Sequence, residues 1–160
     1  MVAISSAPTS RQSDGRPLNV LLIEDNELDV LNVRRAFRRA GHHNEVVAVD
    51  SIREGLATLR GDEDAPGLAR ERRLVLLDLN LPGGSGHDFL RELRRDPDIR
   101  NTAVVVITGS NVDRDRFEAF DYNVAGYLVK PVDPDAFAML VESLQRYWSV
   151  SELPPGTRQD

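Results

Sequence analysis

The chain has 160 residues, 41% hydrophobic and 29% charged, a balance that suits one globular domain with a sizeable core. Its formal net charge of −6 argues against nucleic acid as a partner, because a phosphate backbone needs a basic patch. There is no cysteine, which excludes disulfides, zinc–thiolate centres and thiol catalysis, and no apolar run nears the roughly 18 residues that span a membrane.

Residues 1–16 lack the basic start and apolar core of a signal peptide, and their Ser, Pro, Gly and Arg content reads as a disordered tail. A cytoplasmic location fits both observations. Residues 20–23, Val-Leu-Leu-Ile, are short and apolar enough for a strand buried on both faces, and run into Glu24 and Asp25. Val30, Val33, Ala36, Phe37 and Ala40 then recur at helical spacing, and Gly41 stands where a helix-terminating glycine belongs. Residues 46–49 predict a short strand. Ser51 and Glu54 form a capping-box pattern before Ile52, Leu56 and Leu59, which share a helix face. Residues 61–72 are polar, with Pro66 and two glycines, and read as a long, mobile loop.

A second apolar run, residues 74–77, ends at Asp78, and Leu-Asn-Leu-Pro-Gly-Gly-Ser-Gly follows as a turn. Phe89, Leu90 and Leu93 mark a third helix that stops by Asp96 and Pro97. Residues 104–107 run into Thr108, a helix follows near 113–120, and residues 127–129 run into Lys130. Asp133 and Pro134 pair an N-cap with a first-turn proline, and Ala136, Phe137, Leu140, Val141, Leu144 and Trp148 make the last helix amphipathic. The domain is expected to span 17–150, with 151–160 as a tail too short for an output domain.

Five strand–helix alternations imply an α/β doubly wound (βα)5 fold with a parallel sheet and right-handed crossovers. In the strand order 2-1-3-4-5, groups at the carboxyl ends of strands one and three share the crevice at the switch point. Glu24, Asp25 and Asp78 would therefore lie together. Clustered carboxylates raise one another's pKa unless a cation sits among them, and oxygen ligands without His or Cys favour a hard ion such as Mg²⁺. An aspartate can act as nucleophile on a phosphoryl group, with the metal and Lys130 neutralising charge and Thr108 donating a hydrogen bond.

With these residues in this order and spacing, the chain from about 18 to 148 resembles the response-regulator receiver domains of two-component signalling, which have a flavodoxin-like fold. The resemblance implies that Asp78 is the phosphoacceptor. It implies that Asp25, Asp78 and the backbone carbonyl of Asn80 bind Mg²⁺, with Glu24 reaching it directly or through water. Lys130 would contact the acyl phosphate, and Lys130–Pro131 is an expected cis peptide. Thr108 and Tyr127 match the family's switch pair. Asn80 and Ser110 match positions that tune hydrolysis of the phosphoryl bond. The Asp-Leu-Asn-Leu-Pro-Gly stretch from Asp78, the loop before the third strand and the terminal Tyr147–Trp148 are similar to bacterial stand-alone regulators paired with phytochrome kinases. A sensor histidine kinase, a bacteriophytochrome in the narrower case, and a second copy of the chain are thus the expected partners.

Plainer readings stand beside these. Glu24 and Asp25 suit a helix N-terminus, Thr108 a helix cap, Lys130 a solvated surface and Tyr127 ordinary strand packing. His42, His43 and His87 show no ligand-like spacing together. At the level of the whole chain, the rivals are a phosphate-independent pseudo-receiver and an aspartate-based phosphohydrolase. The second is disfavoured because Asn80 stands where such an enzyme carries its general acid.

Overall fold

The computed structural model describes residues 17–42, 45–109 and 112–154, so the expected N-terminal tail and the last six residues of the C-terminal one lie outside it. In chain order the elements are β1 (Asn19–Ile23), α1 (Glu27–Arg39), β2 (Val47–Val49), α2 (Ile52–Arg60), β3 (Arg73–Leu77), β4 (Asn80–Leu81), β5 (Gly84–Ser85), α3 (Gly86–Arg95), β6 (Ala103–Thr108), α4 (Asp113–Asp121), β7 (Gly126–Val129) and α5 (Pro134–Val150). The main sheet is parallel throughout, in the order β2-β1-β3-β6-β7, which is the expected 2-1-3-4-5 once the small β4–β5 ribbon is set aside.

Strand side chains alternate between two apolar layers, as a period of two requires. Val20 and Leu22, Leu74 and Leu76, and Val105 and Ile107 face α1 and α5, where they meet Val33, Phe37, Phe137 and Val141. Leu21 and Ile23, Val75 and Leu77, and Val104 and Val106 face the other way, toward Leu56, Leu59, Phe89, Leu90 and Leu93 of α2 and α3. Burial on both faces explains why these strands read as unbroken apolar runs.

Local signals set the helix ends. Asn26 caps α1 by accepting from the N–H groups of Leu28 and Asp29, and Gly41 follows its end at φ +85°. The capping box expected at Ser51 is only half made: Ser51 accepts from the Glu54 N–H, but the reciprocal bond is absent, and Glu54 is exposed. The complete box is at Ser85 and Asp88, opening α3. The loop expected after α2 has no helix or strand up to β3. It is nonetheless tied down: Arg73 donates to the carbonyls of Leu59, Leu68 and Ala69, and Arg72 to those of Trp148 and Ser149.

Candidate functional site

The β-ladders end at one edge of the sheet, and the next residue of each strand stays locked to its neighbour. Glu24 N–H donates to the Val49 carbonyl, Asp78 N–H to Ile23, and Lys130 N–H to Thr108, at 3.0, 3.1 and 2.7 Å. Backbone pairing therefore fixes where these side chains emerge. Glu24 is 4%, Asp78 6% and Thr108 0% exposed, so two acids and a hydroxyl are buried just beyond the apolar layers. Asp25 is exposed beside them.

Asp78 is the hub. Its Oδ1 accepts from the Thr108 hydroxyl at 2.9 Å and from the Asn80 N–H at 3.0 Å. Its Oδ2 accepts from Lys130 Nζ at 3.0 Å. Lys130 Nζ also donates to Glu24 Oε2 at 2.6 Å and to Asp29 Oδ2 at 2.8 Å. All three ammonium donors thus meet carboxylates. The remaining Glu24 oxygen accepts from the Asn26 N–H at 3.1 Å. Asn80 also reaches Thr108, its amide nitrogen 3.4 Å from the hydroxyl.

Burial pushes the Glu24 carboxyl up to about 7 against the opposing pull of Lys130, with the Asp78 charge adding to the rise. Burial alone would lower Lys130. Its hydrogen bonds to Asp29 and Glu24, with the charges of Glu24 and Asp78, outweigh that and hold the ammonium above its ordinary range. Carboxylate oxygens of Glu24, Asp25 and Asp78 lie within 4.8 Å of one another. An all-oxygen set of this spacing fits a hard divalent cation.

Sequence reasoning thus brings Glu24, Asp25, Asp78, Asn80, Thr108 and Lys130 into one cleft. Tyr127 lies half-buried on β7, packed against the α2–α3 layer, with β6 between its strand and the one that carries Asp78. Ser110 lies outside the described residues. The expected cis peptide at Lys130–Pro131 is not found: no cis bond occurs among the described residues, and that peptide takes the trans form favoured even before proline. Asp29 was missed. An acid in the first turn of a helix reads as a dipole partner, and only the entry of α1 at the site's edge turns it toward Lys130. His87 turns out to face Glu118 at 3.7 Å and the Asp115 carbonyl at 3.1 Å, a polar contact between α3 and α4.

Comparison with known proteins agrees with this geometry. The family described as the response regulator receiver domain matches residues 20–142. The probable methanogenesis regulatory protein FilR2 of Methanothrix harundinacea is 35% identical over 141 residues, 88% of this chain and 89% of that protein. Response regulator Rcp1 of Synechocystis sp. is 29% identical over 138 residues, 82% of this chain and 89% of Rcp1. An Mn²⁺-bound structure of a response regulator Rcp1 superposes with a TM-score of 0.75 at 27% identity, covering 84% of this chain and 97% of that one. The phosphorylated cyanobacterial phytochrome response regulator RcpA superposes with a TM-score of 0.76 at 30% identity, covering 87% and 99%. Sheet order, the acidic cleft and a family match over most of the sequence converge, and the chain belongs to the response regulator receiver family.

Proposed function

We propose that Asp78 accepts a phosphoryl group from a sensor histidine kinase and that the resulting aspartyl phosphate switches the protein's contacts with other proteins. The hydrogen bonding of Asp78 carries this reading. A nearly buried carboxylate has one oxygen held by Thr108 and the Asn80 N–H and the other facing a fixed ammonium. Such a group is oriented as a nucleophile, with a cation already beside it, before any substrate arrives. In the proposed step an Asp78 oxygen bonds to phosphorus, the bond to the kinase imidazole breaks, and that nitrogen takes the electron pair.

Lys130 then offers a point charge to a phosphoryl oxygen. Thr108, whose hydroxyl now donates to Asp78, can redirect that hydrogen to the new group, and Tyr127 would follow it inward. Asn80 and Ser110 would set how fast the bond hydrolyses. Mg²⁺, when held by Glu24, Asp25, Asp78 and the Asn80 carbonyl, would neutralise charge on the transferred group. The Mn²⁺-bound form of Rcp1 supports a divalent ion here. The likeness to RcpA supports a phytochrome-type kinase as donor, with a homodimer as a further proposed partner. Among the described residues no helix is long and apolar enough to cross a membrane, and a cytoplasmic location is proposed. A phosphohydrolase is disfavoured because the amide of Asn80 cannot serve as the general acid two residues after the nucleophile.

The test is intact mass after incubation with Mg²⁺ and acetyl phosphate. Wild type is expected to gain one phosphoryl mass, and Asp78→Asn or chelator to abolish the gain. No mass gain, with metal and chelator giving identical results, would reject the proposal in favour of a phosphate-independent binding module.

A further inference from the structure

Lys130 has one partner that the acidic cluster does not account for. Three carboxylates share its ammonium. Two of them, Glu24 and Asp78, are also the buried members of the cluster suited to a cation. Any cation or phosphoryl group entering the cleft competes with Lys130 for those two. Asp29 lies outside that cluster, half-buried on α1. It stays available to the ammonium whatever occupies the cleft.

Asp29 is itself held. It is the third residue of α1, and its N–H donates to the Asn26 cap at 3.1 Å. Its carboxylate reaches from α1 to the end of β7, where Lys130 is anchored by its own N–H to Thr108 at 2.7 Å. The lysine is thus fixed at the backbone by β6 and at the ammonium by α1. A flexible four-carbon stem otherwise samples many rotamers, and a fixed partner removes that freedom in advance.

We propose that Asp29 is a positioning residue, the permanent anchor that keeps the Lys130 ammonium over Asp78 while phosphate and cation displace its other two partners. The inference rests on Asp78 being the phosphoacceptor, but its first consequence does not. A paired, half-buried ammonium resists acylation, so in saturating Mg²⁺, which competes for Glu24 and Asp78, Asp29→Ala should raise the labelling rate of Lys130 by an amine-reactive ester several-fold, read by peptide mass without any phosphodonor. Unchanged labelling overturns the inference and leaves the phosphoacceptor reading intact.

The second consequence concerns rate. With acetyl phosphate, Asp29→Ala should lower the saturating phosphorylation rate by about tenfold while leaving the Mg²⁺ dissociation constant within about threefold of wild type. Asp29→Asn keeps an acceptor oxygen of the same reach and should recover part of the rate, which also guards against a folding defect in the alanine variant. In a Lys130→Met background, Asp29→Ala should have no further effect, because it acts through the ammonium. Additive losses, or a tenfold loss of Mg²⁺ affinity with an unchanged saturating rate, would overturn the positioning role. No mass gain in wild type would instead reject the phosphoacceptor reading, and the labelling result would then decide the anchor by itself.

Discussion

Glu24→Gln is expected to reverse the sign of its effect on stability between acid and alkaline pH. Burial raises the Glu24 carboxyl from 4.5 to about 7 in the fold, and unfolding restores the lower value. The folded state therefore binds this proton more tightly than the unfolded one. Glu24 contributes stability that is complete below about 4.5 and is lost as pH rises through about 7. That interval corresponds to about 3 kcal/mol. Glutamine never ionises and escapes the loss. It incurs another cost, because Asn26 N–H and Lys130 Nζ donate to the two oxygens of Glu24, each of which keeps an acceptor lone pair even when protonated, whereas an amide NH₂ accepts nothing. Turning an NH₂ against a donor costs about 1–2 kcal/mol. The variant should be less stable than wild type by up to about 1 kcal/mol at pH 5, where part of the Glu24 contribution is already lost, and more stable by about 1–2 kcal/mol at pH 8. Urea denaturation with chelator present, at both pH values and fixed ionic strength, measures the difference, provided the slope is unchanged. The same difference at pH 5 and pH 8 would refute the argument.

Gly86→Ala should destabilise by about 1–3 kcal/mol, because an added Cβ would lie 2.8 Å from the Leu79 Cα and 2.9 Å from the Asp78 carbonyl, both backbone atoms; a neutral denaturation midpoint would contradict this. Arg94→Met should cost about 2–3 kcal/mol in thermal unfolding, since the guanidinium donates to the carbonyls of Arg100, Thr102, Tyr122 and Asn123 and ties α3 to two loops. Helix α4 should exchange its amide hydrogens well ahead of α3, because Val112 gives it no side-chain cap and only Ala119 among its described residues is buried. Equal protection of the two helices would show that α4 is better anchored than its packing indicates.

Most of the fold was legible because the strands are buried on both faces. Their apolar runs are too short for helices, and each stops at a polar residue that the sheet edge then collects. The short β4–β5 ribbon was not legible: Asn80 pairs with Ser85 across a turn at Gly83, φ +78°, and neither strand exceeds two residues. Sequence alone does not tell the half-made box at Ser51 from the complete one at Ser85, because Ser-x-x-Glu and Ser-x-x-Asp carry the same signal. What separates them is whether the acid turns back to the cap, a matter of local geometry. Asp29 stayed hidden for a related reason. Its sequence neighbourhood is a helix start, and its function depends on a lysine 101 positions away.

The site and the fold make opposed demands, and the chain meets both by dividing the work between backbone and side chain. Side chains of Glu24, Asp78 and Thr108 give little to the apolar core, yet their strands continue the ladder up to or beside them, so their placement does not depend on side-chain packing. The side chains are then free to be electrostatically unfavourable. Three carboxylates, those of Glu24, Asp29 and Asp78, share a single ammonium with Asp25 beside them, and burial pushes the Glu24 carboxyl up to about 7. Such a cleft costs the fold stability that a cation would return on binding, which is how a marginal site becomes a responsive one. The same division explains why Gly86 matters. It sits where the backbone of α3 presses against the backbone that carries Asp78, so an added side chain would push on the ladder end itself.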